Sequence, residues 1–251
     1  MRTLVIGIPL PDASFDNYSF ASAPSISEYR RLVVEMSAVT RVVDEIAHAG
    51  TEHRTFGGQI VVNRPSTGVT FSLVDMITMR RREADQFFAR GGTAICFAYP
   101  DTTILGIDGL TKWCSYDWLP SAERFDYRTA LLPGFGKDAA QPIGVDHPLS
   151  AYFDEFAANS RYRAHAEDAT VTEAGGVVLA RSAGGVALAF DIPVSAGRII
   201  FMPPLLDPAK DRQQIAGALL KAFNALPATN PTAEAIPQTA EIPDWIRKEV
   251  P

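Results

Sequence analysis

Cys96 is the residue of this 251-residue chain best suited to nucleophilic chemistry. It lies near the end of an apolar run, Gly92-Thr-Ala-Ile-Cys-Phe-Ala98, and a thiol becomes a nucleophile only beside a base that takes its proton. His147 is the natural partner, in Asp146-His147-Pro148 at the entry to a helix. The plainer readings compete with this one. Free cysteine is among the most buried residue types, and Asp-His-Pro is an ordinary helix entry with Pro in the first turn. Cys114, the other cysteine, forms no Cys-x-x-Cys pair with Cys96. His48, His53 and His165 are scattered and lack the spacing of a zinc site. Asp101, Asp108, Asp117 and Asp126 lack the Gly and terminal Glu of a calcium loop. No metal is therefore expected. No cofactor is expected either. Gly134-Phe-Gly136-Lys137 is an incomplete phosphate loop and reads as flexible. Pro9 and Asp12 replace two glycines of a dinucleotide fingerprint after Gly7. Ala180-Arg-Ser182-Ala-Gly184 precedes a hairpin, so it is no nucleophile elbow.

Binding chemistry points to a different stretch. Trp113-Cys-Ser-Tyr116-Asp-Trp118 lies in a long insert between about residues 101 and 146. Clustered loop aromatics either line binding surfaces or form a small core under the loop. The insert follows a buried strand, and in an open α/β sheet ligands sit beyond the carboxyl ends of the strands. Tyr99 and Asp101 begin that loop, so Tyr99, Asp101, Trp113, Tyr116 and Trp118 are the ligand-binding candidates. The segment 227–251 is Pro-rich and aperiodic and reads as a tail. Its Trp245 and Ile246 suit an anchor, on this domain or on a partner.

The elements that position these residues follow from apolar patterning. Residues 3–8 are a nearly continuous apolar run, as in a strand buried on both faces, and 92–98 reads as the strongest buried strand; 29–35, around Leu32, Val33 and Val34, and 198–202, around Ile199 to Met202, read as buried strands too. Residues 161–166 and a short stretch at 71–74 also suggest strands. Helices are expected at about 37–50, with Ser37 as cap and Gly50 as stop, at 80–90, from 146 and from 211. Arg80-Arg81-Arg82 reads as a solvated helix start, and 51–70 as irregular. Strands 176–182 and 186–192 join through Ala183-Gly184-Gly185 as a hairpin. The order predicts an α/β fold of three layers, flavodoxin-like, with a mostly parallel open sheet and an antiparallel hairpin edge. One domain spans 1–226.

Composition narrows the function classes. Hydrophobic residues make up 47% and charged residues 21%, enough for a sizeable core. The net charge of -6 offers no basic footprint for nucleic acid or anionic lipid. No apolar stretch approaches membrane-spanning length, and the apolar N-terminal run is too short for a signal peptide. A reduced, cytoplasmic setting is expected. Partner, ligand and oligomeric state are left open.

Two strand ends carry a resemblance. Phe87-Phe-Ala-Arg-Gly91-Gly92-Thr-Ala-Ile-Cys96-Phe-Ala98-Tyr99 resembles the central helix–Gly–strand unit of the class I glutamine amidotransferase-like superfamily. Gly197-Arg-Ile-Ile-Phe-Met202-Pro-Pro204 is similar to that family's last strand, and the hairpin order is similar to ThuA-like and biotin-ligase N-terminal-like members. The resemblance implies a nucleophile at Cys96, but Ala94 and Ala98 replace the elbow glycines. Met202 and Pro204 stand where the catalytic His and Glu would be. Met accepts no thiol proton and Pro carries no carboxylate, so the triad is degenerate. The expected function is a non-catalytic binding or regulatory domain. The alternatives are a cysteine-dependent hydrolase or transferase using Cys96 with His147, and a scaffold subunit acting through its tail and aromatic loop.

Overall fold

The computed structural model describes residues 1–48, 53–56, 59–62, 67–100, 103–105, 112–136, 140–207 and 209–227. In chain order the elements are β1 (Thr3–Ile6), β2 (Phe15–Tyr18), β3 (Arg31–Glu35), α1 (Met36–His48), β4 (His53–Phe56), β5 (Gln59–Val62) and α2 (Thr67–Ala89). Next come β6 (Thr93–Phe97), β7 (Thr103–Leu105), β8 (Lys112–Cys114), α3 (Tyr127–Ala130), β9 (Leu132–Gly136) and β10 (Gln141–Pro142). The last are α4 (Ser150–Phe156), β11 (Tyr162–His165), α5 (Asp168–Glu173), β12 (Val177–Arg181), β13 (Ala187–Val194), β14 (Gly197–Met202) and α6 (Arg212–Ala225).

The central sheet has eight strands in the order β10-β12-β13-β14-β6-β3-β1-β2. From β14 to β2 every pairing is parallel, and β13, β12 and β10 each pair antiparallel with the neighbour before them. The parallel part, counted in chain order, runs 2-1-3-4-5, the flavodoxin-like order. The protein is thus an α/β fold with a mostly parallel sheet and an antiparallel edge.

Alternation of side chains sorts the core into two layers. Leu4, Ile6, Leu32, Val34, Ala94, Cys96, Ile199 and Phe201 face one side, with α1, α2, α5 and the aromatic segment 114–131 packed on them. Val5, Val33, Ile95, Phe97, Ile200 and Met202 face the other, covered by α4 and α6. The β1–β2 crossover is short, spanning residues 7–14, where parallel pairs usually need a helix. It crosses the α4–α6 side and buries Ile8 and Leu10 there in place of a helix.

Several expectations need correction. Residues 71–74 belong to α2, not to a strand. A four-residue apolar run does not distinguish the two by periodicity, and no Gly or Pro interrupts residues 69–90. Arg80 therefore lies inside a helix, and it is 1% exposed. Its guanidinium donates to the carbonyls of Ala23 and Pro24 and to Glu83, because the loop before β3 presents these acceptors to the core. Helix α1 begins at Met36 directly from β3, one residue before the expected cap. Within 51–70, β4 and β5 pair antiparallel. They join β7 and β8 in a second sheet ordered β4-β5-β7-β8. Residues 132–136 form β9, which pairs with β11, so β11 lies outside the central sheet. Gly134 permits this because a β-carbon there would meet the ring of Tyr162 at 2.5 Å. Helix α4 starts at Ser150, later than expected. Helix α6 ends at Ala225, close to the expected start of the tail. The expected stop at Gly50, and Asp101, Trp245 and Ile246, lie outside the described residues. No described helix is long and apolar enough to cross a membrane.

Candidate functional site

Cys96 sits inside β6, paired on one side with Phe201 and on the other with Val34. The strand runs on regularly through Phe97, so the backbone makes no elbow at the thiol. The side chain is fully buried, and burial pushes its ionisation upward, since a thiolate there would lose its hydration. His147 lies elsewhere. Its Nδ1 accepts from the Leu149 amide at 3.2 Å, and its Nε2 is 3.5 Å from Asp191 Oδ2. Asp191 lies between Phe190 and Ile192, which face the Cys96 side, so it points to the α4–α6 side. The structure therefore does not bring Cys96 and His147 together: the sheet separates them. Asp191 also accepts from Arg198 at 2.9 Å, which gives the imidazole a structural setting.

The aromatic segment folds into core. Trp118 and Tyr116 are each 1% exposed. Trp118 stands edge-on to Phe20 at 5.4 Å, and Tyr116 stacks on Tyr127 at 5.9 Å. These rings, with Phe125, cover Phe190 and Phe201 where a helix would otherwise lie. The Tyr116 hydroxyl donates to the Tyr99 carbonyl at 2.6 Å and accepts from its amide at 3.2 Å, pinning the segment to the carboxyl end of β6. Trp113 lies in β8, opposite Ile104 of β7. Of the expected ligand-binding residues, Tyr99 stays partly open, at the carboxyl edge of the sheet.

That edge carries a polar constellation which sequence reading did not assemble. The Tyr99 hydroxyl donates to Glu35 Oε1 at 3.2 Å, and Arg41 donates to Glu35 Oε2 at 3.5 Å. The Tyr99 phenol is held above its ordinary ionisation range, first by burial and then by the Glu35 charge, with a Ser37 hydrogen bond opposing. It therefore stays a neutral donor. Glu35 ends β3, and Ser37 and Arg41 lie on α1. The signal was a charged residue closing an apolar strand, Val33-Val34-Glu35, directly before a helix.

Beside this constellation lies a cleft of about 490 Å³ beyond the carboxyl ends of β1 and β2. Arg41, Glu45 and Ala38 of α1 form one wall, and Gly7, Tyr18 and Ser19 form another. Gly7 has φ +90°, and a β-carbon there would overlap that of Ala38. Glycine thus lets the end of β1 meet the first turn of α1. From β1 the chain moves outward to β2, and from β3 it moves the other way to β6. The cleft therefore adjoins the topological reversal at which open α/β sheets take ligands. A larger cleft of about 660 Å³ flanks the aromatic segment. There Arg128 is spent on both oxygens of Asp117 at 2.7 and 2.9 Å. Arg81 is spent on the Asp117 carbonyl and the Ser121 hydroxyl. Both clefts thus hold a paired arginine, and it is position beside the strand-order reversal, not volume, that favours the smaller one.

The fold and edge define a layered, flavodoxin-like α/β protein with a polar cleft at the carboxyl edge of its sheet. Compared with protein-family models and with curated proteins, the chain matches none at a significant level.

Proposed function

We propose that this protein is a non-catalytic binding domain that takes a small polar-apolar ligand in the cleft between the ends of β1 and β2 and helix α1. The observation that carries this reading is the position of that cleft, beside the strand-order reversal, with Arg41 shared between the cleft and the Glu35–Tyr99 pair. Val5, Ile8 and Phe20 supply apolar lining, and Ser19, Ser22 and Arg41 supply polar groups that orient a ligand. Burial of Cys96 on the face opposite His147 supports a binding role over a thiol enzyme. Both cysteines are free and buried, which fits a reducing compartment. Kinship with the amidotransferase-like superfamily remains part of this proposal. Its support is the parallel β14–β6–β3 pairing and the two glycines where α2 meets the sheet. A β-carbon at Gly92 would meet the Phe87 ring at 2.5 Å, and one at Gly197 would overlap the Gly92 carbonyl.

Fragment screening by amide NMR on the full chain tests the site. Amphipathic fragments with one ring and one or two hydrogen-bonding groups are expected to shift Gly7, Ser19, Ala38 and Arg41 together. Arg41→Gln and Tyr18→Ala are expected to weaken those hits at least tenfold. Hits that cluster elsewhere, or that survive both substitutions, refute the assignment.

A further inference from the structure

We propose that the amino edge of the sheet, the opposite end from the cleft above, holds a second site for a small molecule bearing a phosphoryl group. Arg30 and Arg31 at the start of β3, Arg90 after α2, and Phe223, Leu226 and Pro227 at the end of α6 line a cleft of about 460 Å³. The chain as a whole is acidic, with net charge -6. Yet among the described residues lining this cleft there is no carboxylate.

The three guanidiniums bond only to neutral acceptors among the described residues. Arg30 donates to the Arg90 carbonyl, and Arg90 donates to the Ser27 carbonyl at 2.7 Å. Arg31 donates to the Phe223 carbonyl at 3.2 Å and to Asn224 Oδ1 at 2.9 Å, and its guanidinium lies 5.5 Å from the Phe223 ring centre. Two of these contacts are to the carboxyl ends of α2 and α6, whose dipoles each present roughly half a negative charge. Three unit cations against about one unit of helix-end charge leave a surplus of roughly two positive charges. Arg31 is partly buried, and that desolvation holds its ionisation below the usual arginine range.

A divalent oxyanion answers that surplus. Each guanidinium has five donors, at most two of them used here, and its planar fork matches phosphate oxygens. Phe223, Leu226 and Pro227 add an apolar wall for the rest of the molecule, and the volume suits a small ligand. The site is separate from the proposed carboxyl-edge cleft, since the length of β3 sets Arg31 about 13 Å from Glu35.

Inorganic pyrophosphate, titrated calorimetrically into the full chain, tests the proposal against sodium chloride at matched ionic strength. Saturable binding of one equivalent is expected, weakening as salt rises. Arg31→Met keeps an unbranched stem against Phe223, and Arg90→Gln alters an exposed side chain; each is expected to raise the Kd at least tenfold. Arg41→Gln, at the other edge, is expected to leave it unchanged. Circular dichroism confirms that the variants stay folded. Heats equal to the chloride control, affinity indifferent to Arg31→Met and Arg90→Gln, or affinity lost with Arg41→Gln overturn the proposal.

Discussion

Replacing Arg80 by Met is expected to cost about 4 kcal/mol of stability, although the residue stands in a run of three arginines that looks like surface. The guanidinium is bonded to Ala23 O at 2.6 Å, Pro24 O at 3.1 Å and Glu83 Oε2 at 2.7 Å. Its carbon lies 5.8 Å from the centre of the Phe20 ring. Met fills much of the same volume but donates nothing. A carbonyl left buried and unpaired costs about 1–3 kcal/mol. Glu83, part-buried and still accepting from the Ile26 amide at 3.3 Å, loses its charge partner, which sets the cost near the lower end of the roughly 3–5 kcal/mol for a buried pair. These costs overlap, and relief of guanidinium desolvation offsets part of them, hence about 4 kcal/mol. With a urea m-value of about 2 kcal/mol/M, the unfolding midpoint falls by about 2 M. Tryptophan fluorescence reports the transition, because Trp118 packs on the same Phe20. Adding Glu83→Gln removes the stranded charge and is expected to return about 1–2 kcal/mol. A midpoint shift under about 0.4 M for Arg80→Met, equivalent to less than about 1 kcal/mol, refutes the reasoning.

Three further outcomes are expected. Gly7→Ala places a side chain at φ +90° and onto the Ala38 β-carbon. It is expected to cost about 3 kcal/mol in urea unfolding; in an Ala38→Gly background, whose own helix penalty of about 1 kcal/mol is the reference, Gly7→Ala meets no overlap and is expected to cost only the backbone strain of about 1–2 kcal/mol. The same cost of Gly7→Ala in both backgrounds would mean that the contact is not the cause. Tyr152 buries a hydroxyl that has no hydrogen-bond partner among the described residues. Tyr152→Phe is therefore expected to raise stability by about 1 kcal/mol. The sign with pH follows from burial, which raises the Tyr152 ionisation in the folded chain. The unfolded phenol ionises near 10.0, so its share of stability is complete below that pH and is lost as pH rises beyond it. Urea unfolding at pH 8 and again above pH 10 should show the gain of Tyr152→Phe widening; a constant or shrinking gain contradicts this. In a Cys114→Ser background, Cys96 should alkylate at pH 8 at least about 100-fold more slowly in native protein than in denaturing urea. Comparable rates would mean an accessible thiolate and would revive the thiol-enzyme reading.

What could be read from the sequence was whatever depends on local apolar pattern. β1, β3, β6 and β14 each centre on three or more consecutive apolar residues, and the hairpin announces itself through Ala183-Gly184-Gly185. Helix α2 was half hidden because Phe71, Leu73 and Val74 crowd its first turns, masking the helical period that Ala84, Phe87 and Phe88 display later. The burial of Arg80 was illegible, because what fixes it is carbonyls of a loop some 56 residues away in sequence. The aromatic segment was visible as unusual, and its role was ambiguous for a physical reason. Tyr116 and Trp118 would cover a sheet or face a ligand with the same composition, and only the location of Phe20 and Phe201 decides. The Glu35–Tyr99–Arg41 constellation joins residues from two strand ends and a helix, and such convergence is a property of topology, not of spacing.

The two outermost strands of the central sheet limit how that sheet can be extended. β2 has four residues. Its Asp16 accepts from Arg2 and from the Tyr29 hydroxyl, and both ends of the Asn17 amide are spent on Leu10. At the opposite rim β10 has two residues, and Pro142 has no amide hydrogen to offer. Neither rim presents a long row of open backbone groups, so a further strand finds little to template on. Growth of the sheet into a neighbouring molecule is blocked at both margins. Strand-on-strand extension of the central sheet of the native fold, with a second copy or another protein, is therefore disfavoured.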